Sequence, residues 1–270
     1  MAEIDKAFSG SIPKFYDVLT VPLIFESYAA DMAARVAALA PQAVLETAAG
    51  TGAVTRVLAP RLAADARYVV TDLNPAMLNY AAEAQGADAR IEWRQADALK
   101  LPWDDASFDV VLCQFGAMFF PDRSAGFAEA RRVLKPGGRL IFSVWDRIEE
   151  NVLADEVTRA LAAVFPDDPP LFLARVPHGY HDVAQIREDV RQAGLTDIQI
   201  ETRDEMSRSP SAREVATAFC HGTPLRMEIE TRNPQWLSLA TDRVADAITR
   251  QYGSGPVAAR MRAHIVTATA

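Results

Sequence analysis

A mostly parallel α/β sheet with helices on both faces is the fold this sequence predicts. Short apolar runs alternate with helix-like segments from about residue 41 to residue 145. The connections between them are short, as in a chain of strand–helix units. Runs such as VVLC at 110–113 are apolar throughout, which suits strands buried on both sides. Crossovers in such a sheet are right-handed, and ligands bind at the carboxyl ends of the strands where strand order reverses.

The elements follow in order. The first forty residues read as helices punctuated by Pro22 and Ser27, with Met32, Val36 and Leu39 at helical spacing before Pro41 stops the run. Residues 42–46 (QAVLE) read as a strand, 52–64 as a helix and 67–71 as the second strand. Asn74 caps the next helix, with Pro75 in its first turn where the missing N–H costs nothing. Strands are expected at 90–94 and 108–113, a helix at 124–134, and a fifth strand at 139–145 after Lys135-Pro136-Gly137-Gly138. A helix over 150–165 runs into the break PDDPP. Asp182 caps a helix with Val183, Ile186, Val190 and Ala193 on one face, closed by Gly194. The alternation of Ile198, Ile200 and Thr202 predicts a sixth strand over 197–203. Asn233-Pro234 is expected to open a helix towards Gly253, and MRAHIVTA to form a last strand. The reading is a core of 41–204 plus 259–270, an N-terminal helical lid at 1–40 and a helical insertion at 205–258.

Composition narrows the function. The chain has 270 residues, enough to bury roughly 75% of its unfolded surface without covalent staples. Lys plus Arg is 28 and Asp plus Glu is 36, a net charge of −8, which argues against a nucleic-acid partner. Two cysteines, Cys113 and Cys220, make neither a disulfide framework nor a thiolate metal site. No signal peptide or apolar run long enough for a membrane span is legible, so a cytoplasmic protein is expected. Oligomeric state leaves no trace in the sequence.

The informative segment is VLETAAGTGAVT, residues 44–55. Gly50 and Gly52 fall between an expected strand and an expected helix, where small residues let the backbone turn and approach a ligand. The helix start behind them offers unpaired N–H groups. Asp72 ends the second strand, where a carboxylate can accept both hydroxyls of a ribose. A dinucleotide such as NAD fits the spacing from glycine to acid, although the third glycine of its fingerprint is missing. Glu46 favours another ligand. It stands just before the glycines, where it would repel a pyrophosphate and attract the sulfonium and ammonium of S-adenosylmethionine.

With these residues in view, the sequence resembles the class I S-adenosylmethionine-dependent methyltransferases. VLETAAGTG is similar to their first motif, VVTDLNPAML (69–78) to the second, RQADALKLPW (94–103) to the third, FDVVLCQFGAMFF (108–120) to the fourth, and LKPGGRL (134–140) to the segment before strand five. The nearest flavour is that of ubiquinone and menaquinone biosynthesis. The resemblance implies a Rossmann-like seven-stranded sheet with a helical lid. It also implies S-adenosylmethionine as cofactor, S-adenosylhomocysteine as product, and a small molecule as methyl acceptor. It assigns Asp72 to the ribose, Leu73 and Met77 to the adenine, Asp97 to the adenine amino group and the Ala98 N–H to a ring nitrogen. The backbone at Gln114 and Phe115 would face the methionine ammonium, and Tyr16 would fold over the methionine end. Ala48 departs from the usual glycine, and Glu46 replaces a common Asp.

Elsewhere His178 and His181 stand three apart in HGYH, but no carboxylate set converges on them to make a metal site. Replacing His178, His181 and His221 singly would test whether the lid supplies acid–base groups. Cys113 reads as core. No residue is named as a general base, because an acceptor that is already anionic needs none. Two other functions share the fold: a non-catalytic protein that binds the same cofactor, and a nicotinamide-dependent oxidoreductase.

Overall fold

The computed structural model describes Gly10 and residues 12–270, so the part of the expected N-terminal helices at 1–9 and 11 lies outside the described residues. Seven strands form one sheet in the order β3-β2-β1-β4-β5-β7-β6. They are β1 (Ala43–Glu46), β2 (Arg67–Asp72), β3 (Ile91–Gln95), β4 (Phe108–Gln114), β5 (Leu134–Trp145), β6 (Thr196–Ser209) and β7 (Val257–Thr269). β1 runs parallel to both β2 and β4, with Glu46 opposite Val70 on one side and Leu112 on the other. β7 is antiparallel to both its neighbours. The chain winds outwards from β1 to β3, then returns to β4 and winds the other way. The gap above β1 and β4 is therefore where strand order reverses, the place such sheets offer a ligand.

Helices α1 (Ile12–Phe15), α2 (Glu26–Ala38), α3 (Ala53–Leu58), α4 (Pro75–Gln85), α5 (Arg123–Val133) and α8 (Val183–Gln192) accompany the sheet. The expected cap of α4 is present: Asn74 Oδ1 accepts from the N–H groups of Ala76 and Met77. All four residues of β1 are buried, as a strand covered on two faces requires. A second apolar cluster joins α6 (Val152–Val164), α7 (Phe172–Arg175), α9 (Ala212–Gly222), α10 (Leu225–Arg232) and α11 (Leu237–Tyr252).

Several boundaries differ from expectation. Pro22 and Ser27 do not interrupt the N-terminal run. Tyr16–Phe25 is a π-helix leading directly into α2. Its wider turn leaves room for the pyrrolidine ring that an α-helix would exclude. The helix expected over 52–64 stops at Leu58, and a 3-10 turn takes in Pro60. Asn233 ends α10 rather than starting a helix; its side chain accepts from Gln235 N in a turn, and α11 begins at Leu237. β6 runs on to Ser209, five residues into the segment read as the helical insertion. No helix among the described residues is long and apolar enough to cross a membrane.

Candidate functional site

The switch point of the sheet holds a cavity of about 400 Å³. Three loops build it, one after each of β1, β2 and β4, with the π-helix above and the turn after β3 at one end. Of the twelve sequence candidates, Tyr16, Glu46, Ala48, Gly50, Asp72, Leu73, Met77, Asp97, Ala98, Gln114 and Phe115 all line this one space. Gly52 does not. It starts α3 at φ +82°, and a Cβ there would come within 3.1 Å of the Ala81 Cβ on α4, so packing constrains it.

The loop after β1 is strained and tied down. Ala48 sits at φ +52° and Gly50 at φ +58°. The left-handed region costs alanine about 1–2 kcal/mol, so the loop holds this shape only because its neighbours fix it. Asp72 is one of those neighbours. Its Oδ2 accepts from Gly50 N at 2.8 Å and its Oδ1 from Asn74 N at 2.7 Å, which joins the loops after β1 and β2. Burial raises its pKa, against those backbone donors. Arg56, which sequence reasoning missed, is another. It donates to Thr51 O at 2.6 Å and pairs with Asp17 of the π-helix at 2.6 Å, so one guanidinium ties the lid to the loop.

Glu46 differs from the fixed negative charge that its sequence position suggests. It is 1% exposed, and its Oε2 accepts from the hydroxyls of Thr55, at 2.7 Å, and Tyr68. Burial outweighs both bonds and pushes its pKa up to about 7. The folded chain therefore keeps a proton that the unfolded chain releases near 4.5. The Glu46 contribution to stability must fall as pH rises from there to about 7 and level off above it, while buried His178, with its pKa lowered to about 4, acts in the opposite direction. Urea titrations across that range isolate it: the stability of the wild type relative to Glu46→Gln should decline from pH 4.5 to about 7. A difference between the two proteins that stays constant with pH would contradict it.

Asp97 is exposed, and its Oδ1 accepts from Leu99 N at 2.9 Å, the turn that an isolated loop aspartate makes. The Ala98 backbone lies beside it on the cavity wall. Leu73 is 47% exposed, which leaves an apolar face on the rim, and Met77 is buried beneath the loop. Two polar atoms that line this space have no partner among the described residues: Thr51 Oγ1 and Gln114 Oε1 are buried and unbonded there. Buried polar atoms seldom stay unsatisfied, so these mark where a polar ligand group would sit.

The remaining walls are aromatic; the motifs point to Tyr16 and Phe115 among them but not to Phe25, Phe119 or Phe120. Tyr16 stacks on Phe25 at 5.2 Å. Phe115, at φ +52°, stacks on Trp145 at 3.9 Å between ring centroids. For Phe119 and Phe120 the available signal was the aromatic content of FGAMFF after β4. No residue of 205–258 lines the cavity, so the lid that touches it is the N-terminal one. The histidines also lie elsewhere: His178 Nδ1 meets Asp146 O, His181 Nδ1 meets His178 O, and His221 Nε2 meets Thr241 Oγ1. Cys113 is buried, and burial raises its thiol pKa to about 11, as a core residue requires.

Comparison with known proteins agrees with this geometry. Residues 45–142 match the family model described as Methyltransferase domain. A demethylmenaquinone methyltransferase of Deinococcus radiodurans is 39% identical over 142 residues, 51% of this chain and 58% of that one. A ubiquinone/menaquinone biosynthesis C-methyltransferase of Dinoroseobacter shibae is 43% identical over 105 residues, 38% of this chain and 42% of that one. The chain thus spans about half the length of the curated relatives it matches. Among solved structures, a Haemonchus contortus phosphoethanolamine N-methyltransferase, in complex with phosphomonomethylethanolamine and S-adenosylhomocysteine, superposes with a TM-score of 0.63 at 17% identity, covering 100% of this chain and 61% of that one. The cyclase SpnF superposes at 0.53 with 20% identity, covering 89% and 78%, so the fold by itself does not fix the reaction. Residues 45–142 thus match a methyltransferase-domain model, and the strand order and superpositions give the chain the Rossmann-like fold seen in class I methyltransferases.

Proposed function

We propose that the protein transfers a methyl group from S-adenosylmethionine to a small-molecule acceptor. The observation that carries this reading is the Asp72 carboxylate. It bridges Gly50 and Asn74 at the end of β2, facing a cavity in which Thr51 Oγ1 and Gln114 Oε1 await partners. The donor set suits a nucleoside joined to an amino acid. Asp72 would accept the ribose hydroxyls, Leu73 and Met77 would flank the adenine, and Asp97 and the Ala98 N–H would meet its edge. Gln114 Oε1 would accept from the ammonium, with Glu46 below the loop. Ala48, Gly50 and Gly52 would keep the loop close, and Tyr16 would cover the methionine end. No Lys, Arg or His lines the cavity among the described residues, which suits a cationic ligand better than a pyrophosphate.

When bound, the cofactor supplies an electrophilic methyl on a sulfonium sulfur. The protein's own residues have three tasks. They hold the two reactants in line, which can supply roughly 7–11 kcal/mol of the barrier. The Tyr16, Phe25 and Phe115 rings exclude water. The Glu46 carboxyl adjusts its charge, since a cation overhead lowers its pKa from about 7 and favours the anion. In this reading residues 1–40 lid the cofactor, 205–258 form a helical insertion outside the core of 41–204 plus 259–270, and the reaction takes place in the cytoplasm. The aromatic walls and the quinone-pathway names of the relatives favour a ring-bearing acceptor. Release of S-adenosylhomocysteine in the presence of phenols, quinols and fatty acids tests the activity. Acceptor-dependent release is expected, and binding of the cofactor with no release from any acceptor would leave a non-catalytic binding protein.

A further inference from the structure

Behind the large cavity lies a void of about 20 Å³. Ile24 lines the void and Phe25 lines the cavity. These adjacent residues end the π-helix, so one stretch of chain divides the two spaces. π-helical turns cluster at functional sites. The rest of the partition is aromatic. Trp145 lines the void and stacks on Phe115, which lines the cavity, with 10° between planes. Phe25 closes against Phe115 at 5.4 Å and against Trp145 at 5.9 Å.

Two buried polar side chains line the void with bonding capacity to spare. His178 Nδ1 lies 2.8 Å from the Asp146 carbonyl oxygen. A carbonyl only accepts, so Nδ1 carries the proton and Nε2 presents a lone pair. Burial lowers the ring's pKa to about 4, against the pull of Asp146 and Glu149, so it is neutral at pH 7. Ser207 is 2% exposed and donates to the Met261 thioether at 3.3 Å, a weak acceptor. Arg260, the cation at the void among the described residues, is already paired with Glu150 at 2.8 Å.

We infer that withdrawal of Ile24 and Phe25 joins the two spaces into the methyl-acceptor site, where His178 Nε2, with Ser207 on the same wall, takes a hydrogen bond from the acceptor. The inference rests on the methyltransferase reading. It names an acceptor with a flat apolar body, held among the partition's rings, and a hydroxyl or N–H at its far end. An acceptor with a phosphate there meets a neutral imidazole and an arginine already paired.

Nitrogen-15 spectra of the histidine rings test this in the full-length protein saturated with S-adenosylhomocysteine. His178→Asn identifies the His178 signals by their loss. If that variant does not fold, replacing His181, His221 and His264 in turn identifies them by elimination. Phenol should move the Nε2 resonance upfield, as expected when a lone pair receives a hydrogen bond. Anisole, of similar shape but with no donor, should leave it in place. Ile24→Ala should lower the phenol concentration needed. The inference is overturned if phenol moves nothing in either protein, if anisole acts equally, or if Nε2 is already hydrogen-bonded to a trapped water that phenol does not displace. Failure of S-adenosylhomocysteine to saturate the protein overturns the methyltransferase reading itself, and is seen before phenol is added.

Discussion

Asp72→Ala is expected to lower S-adenosylmethionine affinity by roughly a hundredfold or more. The carboxylate accepts from Gly50 N and Asn74 N, both in loops that line the cavity. A ribose hydroxyl bonded to this carboxylate contributes about 1.5–3 kcal/mol, and each 1.4 kcal/mol is tenfold in affinity. Losing the Gly50 bond also frees a loop whose Ala48 is strained, so ordering that loop again on binding adds to the loss. Asp72→Asn separates these contributions. Its amide oxygen can still accept one backbone N–H, but its NH₂ faces the other donor, so an intermediate loss is expected. Calorimetric titration of both variants decides. Wild-type affinity in Asp72→Ala would remove this residue from the site.

Gly116→Ala is the second large effect. A Cβ at Gly116 would stand 2.4 Å from the Ala48 Cβ and 2.7 Å from Cys113 Sγ. Neither distance is tolerable, and Ala48 is already in a strained backbone state. The loops after β1 and β4 must therefore separate. Overpacking of this kind costs about 1–3 kcal/mol. Thermal unfolding should show a lowered Tm, and cofactor affinity should fall because both loops line the cavity. Adding Ala48→Gly removes the closer clash and relieves the positive φ, so the double variant should recover much of the lost stability. Failure of the double variant to recover anything would place the clash with Cys113 instead.

Much of the site was legible because local chemistry fixed it. The Asn74-Pro75 cap, the small residues of the β1 loop and an acid at the end of β2 each need only their near neighbours to work. They fell on the cavity where the motifs put them. The partly legible features depend on distant parts of the chain. Pro22 reads as a helix stop, because no short-range signal tells that a π-helix will absorb it. β6 beyond Arg203 is an edge strand with Asp204, Glu205 and Arg208 in its run, so its alternation is masked by solvated charge. The Arg56 clamp joins residues 39 apart in sequence. The charge of Glu46 could be read from its type but not its burial, since only the folded sheet shows that it faces Tyr68 and Thr55 rather than water.

Calorimetric titration of the purified protein with S-adenosylmethionine, S-adenosylhomocysteine and NAD in parallel tests the central claim most directly. Both adenosyl sulfur compounds should bind at one site per chain, and NAD should give no measurable heat of binding. Saturable binding of NAD, with neither sulfur compound bound, would contradict the account.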